Sequence, residues 1–288
     1  SYEWDDPFNS SGIRVLSDNN EIKYNKVTES YAGILLESAD NNELYGNEID
    51  DVDIGILITK SDDNTINSNS VIDSDVVDIQ VTSIGYTTGS KNNYFTNNSG
   101  VELIEFIDSD SNSLNNQEVG TYDLENSKRI SVYQSSYDYV VCDSDSSLYL
   151  KNWININVSR EDSPLSGVDL KAWDGDNIIY STAYFGGTNS KTDSQGKAPQ
   201  DIEVIYRVFN GSSTATDNVT KVMVRVGEWF KTKTSETDEI RVDIDFDVPV
   251  FRITNQNTGV EYNYIQRAID NASAGDTIFI SSGEYNNY

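Results

Sequence analysis

The sequence predicts an all-β chain, and three observations carry that prediction. An asparagine pattern recurs through the first 120 residues. A run of longer alternating strands begins near Leu148, and a short helix-plus-strand segment occupies the end. The implied division is coils over 1–138, a β-sandwich over 139–249 and a separate segment over 250–288.

The recurring pattern pairs an asparagine with an apolar residue two positions on and a second amide three further on. It reads Asn20-Ile22-Asn25, Asn42-Leu44-Asn47, Asn64-Ile66-Asn69, Asn93-Phe95-Asn98 and Asn112-Leu114-Gln117. The steps are 22, 22, 29 and 19 residues, the spacing of stacked repeat units. A short strand precedes each asparagine in four repeats, with Ile13/Val15, Ile34/Leu36, Ile56/Ile58 and Ile79/Val81 alternating at period two. A third inward position recurs at Val27, Ile49, Val71 and Val119. Two or three short strands per repeat and no helix between them describe coils of a right-handed parallel β-helix. Asparagine tolerates the left-handed region at a tight bend, and its amide pairs with an identical amide one coil away. Stacked amides at about 4.8 Å make a ladder. The 29-residue step is an ordinary coil with a loop inserted at 84–89, the candidate binding loop, with Tyr86 at its centre.

The formal charge is −28, from 48 acidic and 20 basic residues. That excess argues against nucleic-acid binding and against docking on anionic lipid. No run of about 18 apolar residues is present, so no membrane insertion is expected. Cys142 is the single cysteine and allows no internal disulfide. Asn9, Asn97, Asn157, Asn210, Asn218 and Asn271 each begin a glycosylation sequon, which favours an extracellular surface.

Catalysis is not expected. The chain has no histidine, which removes the commonest general base and any imidazole-bound metal. Carboxylates recur about one coil apart at Asp50, Asp51 and Asp53, at Asp73, Asp75 and Asp78, and at Asp108 and Asp110. They suggest an acidic stripe, read first as a solvated face. The ion such a stripe would suit is Ca2+, with Asp51, Asp53, Asp73 and Asp75 as ligands; no other cofactor is expected. The sequence Asp174-Gly175-Asp176-Asn177 reads as a hairpin turn.

From Leu148 the strands lengthen: 148–158, 168–173, 202–209, 222–226 and 240–246. Strands at this spacing with polar turns make a β-sandwich. The pair Ser163-Pro164-Leu165-Ser166-Gly167-Val168 and Thr192-Asp193-Ser194-Gln195-Gly196-Lys197 resembles the pattern of carboxypeptidase-regulatory-like, immunoglobulin-like sandwiches. That resemblance implies a spacer or adhesive module.

Near the end, Ile265, Ala268, Ile269 and Ala272 fall at helical spacing, and Thr277-Ile278-Phe279-Ile280 reads as a strand before Gly283-Glu284-Tyr285. This segment resembles the opening cap of NosD-like, "carbohydrate-binding and sugar hydrolysis" parallel β-helix repeat proteins. In those proteins the cap precedes the coils, whereas here it follows them. One reading places the chain within a larger protein that alternates β-helix and sandwich. The other has the cap, through Ile265, Ala268, Ile269, Ile278 and Ile280, completing the coil stack of a neighbouring copy. The combination is similar to archaeal cell-surface proteins. It implies a non-catalytic extracellular structural protein of a surface layer, sheath or filament, with copies of itself as head-to-tail partners. The alternative is a carbohydrate-binding or carbohydrate-active module with surface glycans as partners.

Overall fold

The structure is a computed structural model that describes residues 10–83, 89–227, 229–235, 241–248, 253–262 and 264–280. Among the described residues it is all-β apart from one short α-helix and one 3-10 turn. The chain divides into two compact units, residues 1–151 with 205–217, and residues 152–204 with 218–288.

The first unit is a parallel β-helix built from two columns of strands. One column contains Ser11–Val15, Lys26–Glu37, Glu48–Thr59, Ser70–Thr82, Leu103–Ile107, Glu118–Glu125 and Ser136–Cys142, each parallel to the next. The other contains the three-residue strands Glu21–Lys23, Glu43–Tyr45, Thr65–Asn67, Tyr94–Thr96 and Ser113–Asn115, then Ile130–Tyr133 and the start of Ser147–Arg160. In-register pairing stacks Ile22, Leu44, Ile66, Phe95, Leu114, Val132 and Leu150 into one apolar file. Ile34, Ile56, Ile79 and Ile104 form a second file facing the same core. Most of this core is fully buried, the arrangement that lets repeat units too small to fold alone share one interior.

Three details differ from the sequence reading. The coils continue past residue 138 to Lys151, with Ile130–Tyr133 and Ser136–Cys142 as strands of the stack. The asparagine signal had stopped there because Ile130 and Ser135 take the two amide positions. Leu35 and Leu57, which alternation assigned to the outer side, are buried in a smaller cluster with Ala32 and Ile54. Residues 202–209 do not form a sandwich strand along their whole length, because from Ile205 the chain returns to the first unit. There Arg207 and Val208 pair with Asp217 and Thr216 in a hairpin, and the Phe209 ring meets Tyr137 edge-on at 6.3 Å. Gly211 N–H donates to the Ser146 carbonyl and Cys142 N–H to Ser213 Oγ, so 205–217 is fastened to the last coil.

In the second unit, Asp169–Asp174, Asn177–Ser181, Thr220–Val226 and Trp229–Ser235 form a four-stranded antiparallel sheet. Trp153–Ser159 pairs with Arg241–Asp247, and the two layers enclose Ile154, Ile156, Val158, Leu170, Val222, Val224, Ile244 and Phe246. The two halves of the sandwich motif meet at Thr192. Its Oγ1 accepts from Val168 N–H at 2.9 Å and donates to the Leu165 carbonyl at 2.8 Å. Asp193 closes the following turn by accepting from Gln195 and Lys197 N–H. Gly196, at φ 73°, lies where a Cβ would stand 2.3 Å from the Val158 carbonyl. The helix is shorter than the apolar spacing suggested, Ile265–Asp270.

Candidate functional site

The stacked amides form the most regular polar structure of the coils. Asn47 N–H and Nδ2 both donate to Asn69 Oδ1, at 3.0 and 2.8 Å, and Nδ2 also donates to the Ile22 carbonyl at 2.8 Å. Asn25 makes the same pair of bonds to Asn47, and Asn69 to Asn98. The ladder continues from Asn98 to Gln117 Oε1. Asn20, Asn42, Asn64, Asn93 and Asn112 make the companion ladder along the other corner. Buried amides need every donor and acceptor filled, and here a side chain of the next coil does it.

Each ladder has a direction. Every Oδ1 accepts from the coil before it, so Asn20 and Asn25, on the first coil, have acceptors with no donor among the described residues.

One expectation about these corners changes. The ladder asparagines do not take the left-handed conformation; the residue before each one does. Asn19, Asn41, Asp63, Asn92 and Ser111 have φ of 55–61° at one corner, and Tyr24, Gly46, Ser68, Asn97 and Asn116 have φ of 51–64° at the other. The bend lies one residue earlier so that the amide itself can point inward. Two further ladders escaped sequence reasoning. Ser61 Oγ accepts from Ala39 N–H, Ser90 Oγ from Ser61 N–H and Ser127 Oγ from Ser109 N–H. Aspartates run the opposite way, Asp18 Oδ1 accepting from Asp40 N–H and Asp40 Oδ1 from Asp62 N–H. The readable signal was Ser17, Ala39, Ser61, Ser90 and Ser109, each three residues before a ladder asparagine.

The eight predicted carboxylates do not form one stripe. Asp78 is buried and its Oδ2 accepts from the Glu102 and Leu103 N–H groups, a structural role. Asp108 accepts from Ser83 Oγ and Asn126 Nδ2, while Asp110 accepts from Lys128 N–H and pairs with Arg129. Asp50 stands opposite Thr28 and Ile72. The pairing register sets Glu29, Asp51 and Asp73 in one column, all at positive φ. Asp53 faces a bulge that contains Asp75. Asp51, Asp53 and Asp75 line an open groove of about 580 Å³ with Ser30 and Tyr31; Asp73 is not on its wall. Among the described residues no three histidine, cysteine, aspartate or glutamate side chains converge as metal ligands, and the four proposed Ca2+ ligands are not brought together. The 84–89 loop, with Tyr86, lies outside the described residues except for Gly89.

Residues 8–138 match the family model described as "Periplasmic copper-binding protein (NosD)". These residues form a NosD-like parallel β-helix repeat region. No curated protein matches the chain. Copper favours imidazole, thiolate and thioether donors, and the NosD-like coils lack them. The chain has no histidine, and its one cysteine, Cys142, and one methionine, Met223, both lie outside the matched residues. Cys142 is buried, and burial raises its thiol pKa. The residues present do not fit a copper site.

Titration of the coil carboxylates is expected to separate by environment. The side-chain hydrogen bonds from Ser83 and Asn126 hold Asp108 below the usual carboxylate range, and that from Ser146 lowers Asp143. Desolvation raises Asp62 and Asp123. Carbon-13 NMR should place the first pair below and the second above about 3.9. For the lowered pair, stabilisation is present above the unfolded-state pKa and is lost as pH falls through the folded one. For the raised pair the sign reverses, and acidification relieves an unfavourable term.

The sequons sort by accessibility. Asn97, Asn210 and Asn271 are exposed. Asn157 donates to Asp245 from within a strand, and Asn218 donates to Asp174. Asn9 is outside the described residues. In the terminal segment, Ile253, Tyr262 and Ala268 form a small core with half-buried Ile265 and Ile278. Ile269 and Ile280, also among the expected cap residues, are exposed together with Phe279.

Proposed function

We propose that this chain is a non-catalytic structural protein of the cell envelope or extracellular surface, in which the 253–280 segment completes the coil stack of a neighbouring copy. The observation that carries the reading is the ladder polarity. Among the described residues, Asn20 and Asn25 offer amide acceptors that no donor fills, and Ser11–Val15 and Glu21–Lys23 are the outermost strands of their columns. Natural β proteins cover such edges. The terminal segment supports it from the other side, carrying an independent core and leaving Ile269, Phe279 and Ile280 exposed. The contact is heterologous and propagates head to tail as a filament, sheath or layer. The periplasmic description of the matched family supports an envelope location.

Sedimentation of the full chain against a variant lacking residues 262–288 tests this. Assembly is expected to grow with concentration and to disappear in the truncated chain. Unchanged assembly after truncation, or a monomer at all concentrations, would overturn it.

The groove beside Tyr31, with its carboxylates and hydroxyls, favours a second reading in which the coils bind a neutral glycan. Glycan binding lost on Tyr31→Ala, without turnover, would support that reading.

A further inference from the structure

The four-stranded sheet of the second unit has a solvent face unlike the rest of this acidic chain. Its inner face sends Leu170, Ala172, Tyr180, Val222 and Val224 into the core. The alternate positions face outward, and the register brings Trp173 beside Lys221 and Ile178, Lys171 beside Met223, and Arg225 beside Phe230. The Arg225 guanidinium lies 3.4 Å from the centroid of Tyr184 and 5.8 Å from that of Phe230. Lys171 Nζ stands 4.7 Å from the Trp173 ring.

Tyr184, Phe230 and Ile178 are each about half exposed, at 51%, 48% and 56%. The one carboxylate at these outward positions of the Asp169–Asp174 strand that could offset the cations, Asp169, is buried and taken up by Lys191 and Arg225. Among the described residues, Lys171 and Lys221 pair with no carboxylate. Tryptophan, tyrosine, phenylalanine, methionine and arginine together are the composition of protein interfaces, and of the residues that dominate their energy.

The charge that complements this face lies in the coils. Of the chain's 48 acidic residues 28 fall within residues 1–151, against only 8 of its 20 basic ones. The column Glu29, Asp51 and Asp73, flanked by Asp53 and Asp75, has no cationic partner among the described residues. Like charges stacked in register repel one another, and a basic surface laid on them relieves the repulsion.

We propose that the basic, aromatic face around Lys171, Trp173, Lys221, Met223, Arg225 and Phe230 docks on the acidic coil column of a second copy of this chain. Such a contact is heterologous and propagates sideways, independently of the terminal segment. At about 0.15 M salt the Debye length is roughly 8 Å, so the net charge of each copy is screened while the contact pairs act at close range. A protein surface fits the face better than a sugar does, because the Tyr184 and Trp173 rings already carry a cation.

Carbodiimide joins a lysine amine to a carboxylate only when the two touch. Applied to a mixture of 14N- and 15N-labelled full chains, it is expected to give mixed-isotope links between Lys171 or Lys221 and the 51–75 peptide. Raising salt to ~1 M, where the Debye length is about 3 Å, should lower their yield at least tenfold. Phe230→Asp, which changes neither linking residue, should do the same. An equal mixture of Lys171→Glu/Lys221→Glu with Asp53→Lys/Asp75→Lys chains should recover the association that each loses alone. Links confined to one isotope, links insensitive to Phe230→Asp, or no recovery in the mixture would each overturn the proposal. Capture of polygalacturonate by monomeric chains, lost on Lys171→Glu/Lys221→Glu, would replace the second copy with an acidic glycan and overturn it too. None of these readouts depends on residues 253–280, so head-to-tail assembly can fail while this contact stands.

Discussion

Asn69→Ala is expected to destabilise the coil stack by about 3–5 kcal/mol, from buried polar groups left unpaired and the cavity created. Asn69 is fully buried and sits at the centre of its ladder. Its Oδ1 accepts from Asn47 N–H and Nδ2, and its Nδ2 donates to the Leu44 carbonyl at 3.0 Å and to Asn98 Oδ1 at 3.0 Å. Alanine removes all four side-chain bonds. It strips the Asn47 N–H and the Leu44 carbonyl, both on the preceding coil, of these bonds where water cannot replace them. Asn25→Ala deletes the rung at the edge, where solvent reaches the released groups, and should cost only about 1 kcal/mol. Urea unfolding followed by circular dichroism compares the two. Equal losses would mean that the ladder contributes no more than ordinary surface hydrogen bonds.

Gly55→Ala is expected to cost about 3 kcal/mol through overpacking, although it adds a single methyl group. A Cβ at Gly55 would stand 2.4 Å from the Asp78 carbonyl oxygen and 2.5 Å from Val71 Cγ1. The valine can turn, but the carbonyl belongs to the next coil, whose position is held by parallel pairing from Ile56↔Ile79 to Thr59↔Thr82. At Gly12, on the first coil, the nearest backbone atom would be 3.0 Å away and the closest contact a valine methyl, so Gly12→Ala should cost markedly less. Thermal melts of both variants measure the difference. A Gly55→Ala protein as stable as the parent would show that the coils can separate locally at little cost.

These two sites show how far sequence reading reached. The ladder asparagines were legible because burial of an amide demands a partner at every coil, and that demand writes the same residue at the same offset. The location of the left-handed bend was not legible. Asparagine suits a bend and a ladder equally well, and Asn19-Asn20, Asn41-Asn42 and Asn92-Asn93 offer one of each side by side. The serine and aspartate ladders were readable in principle but lay in a background rich in both. The coils beyond residue 125 kept their apolar files through Val132 and Leu150 while losing the asparagines, and the file alone resembled a sandwich strand. For the candidate site the sequence named Asp51, Asp53, Asp73 and Asp75, but which of them share a wall depended on the bulge between Val52 and Ile54.

The sequence by itself determined the repeat, the direction of the buried files, the all-β class and the resemblance of both the terminal segment and the coils to NosD-like repeats. These are local properties, set by side-chain type at fixed spacing. Only the tertiary structure decided where the stack stops, which carboxylates stand together, that residues 205–217 leave the sandwich to pack on the last coil, and that a basic aromatic face gathers on one sheet. Each of those depends on strand register and on contacts between residues far apart in the chain, which spacing along one strand does not encode.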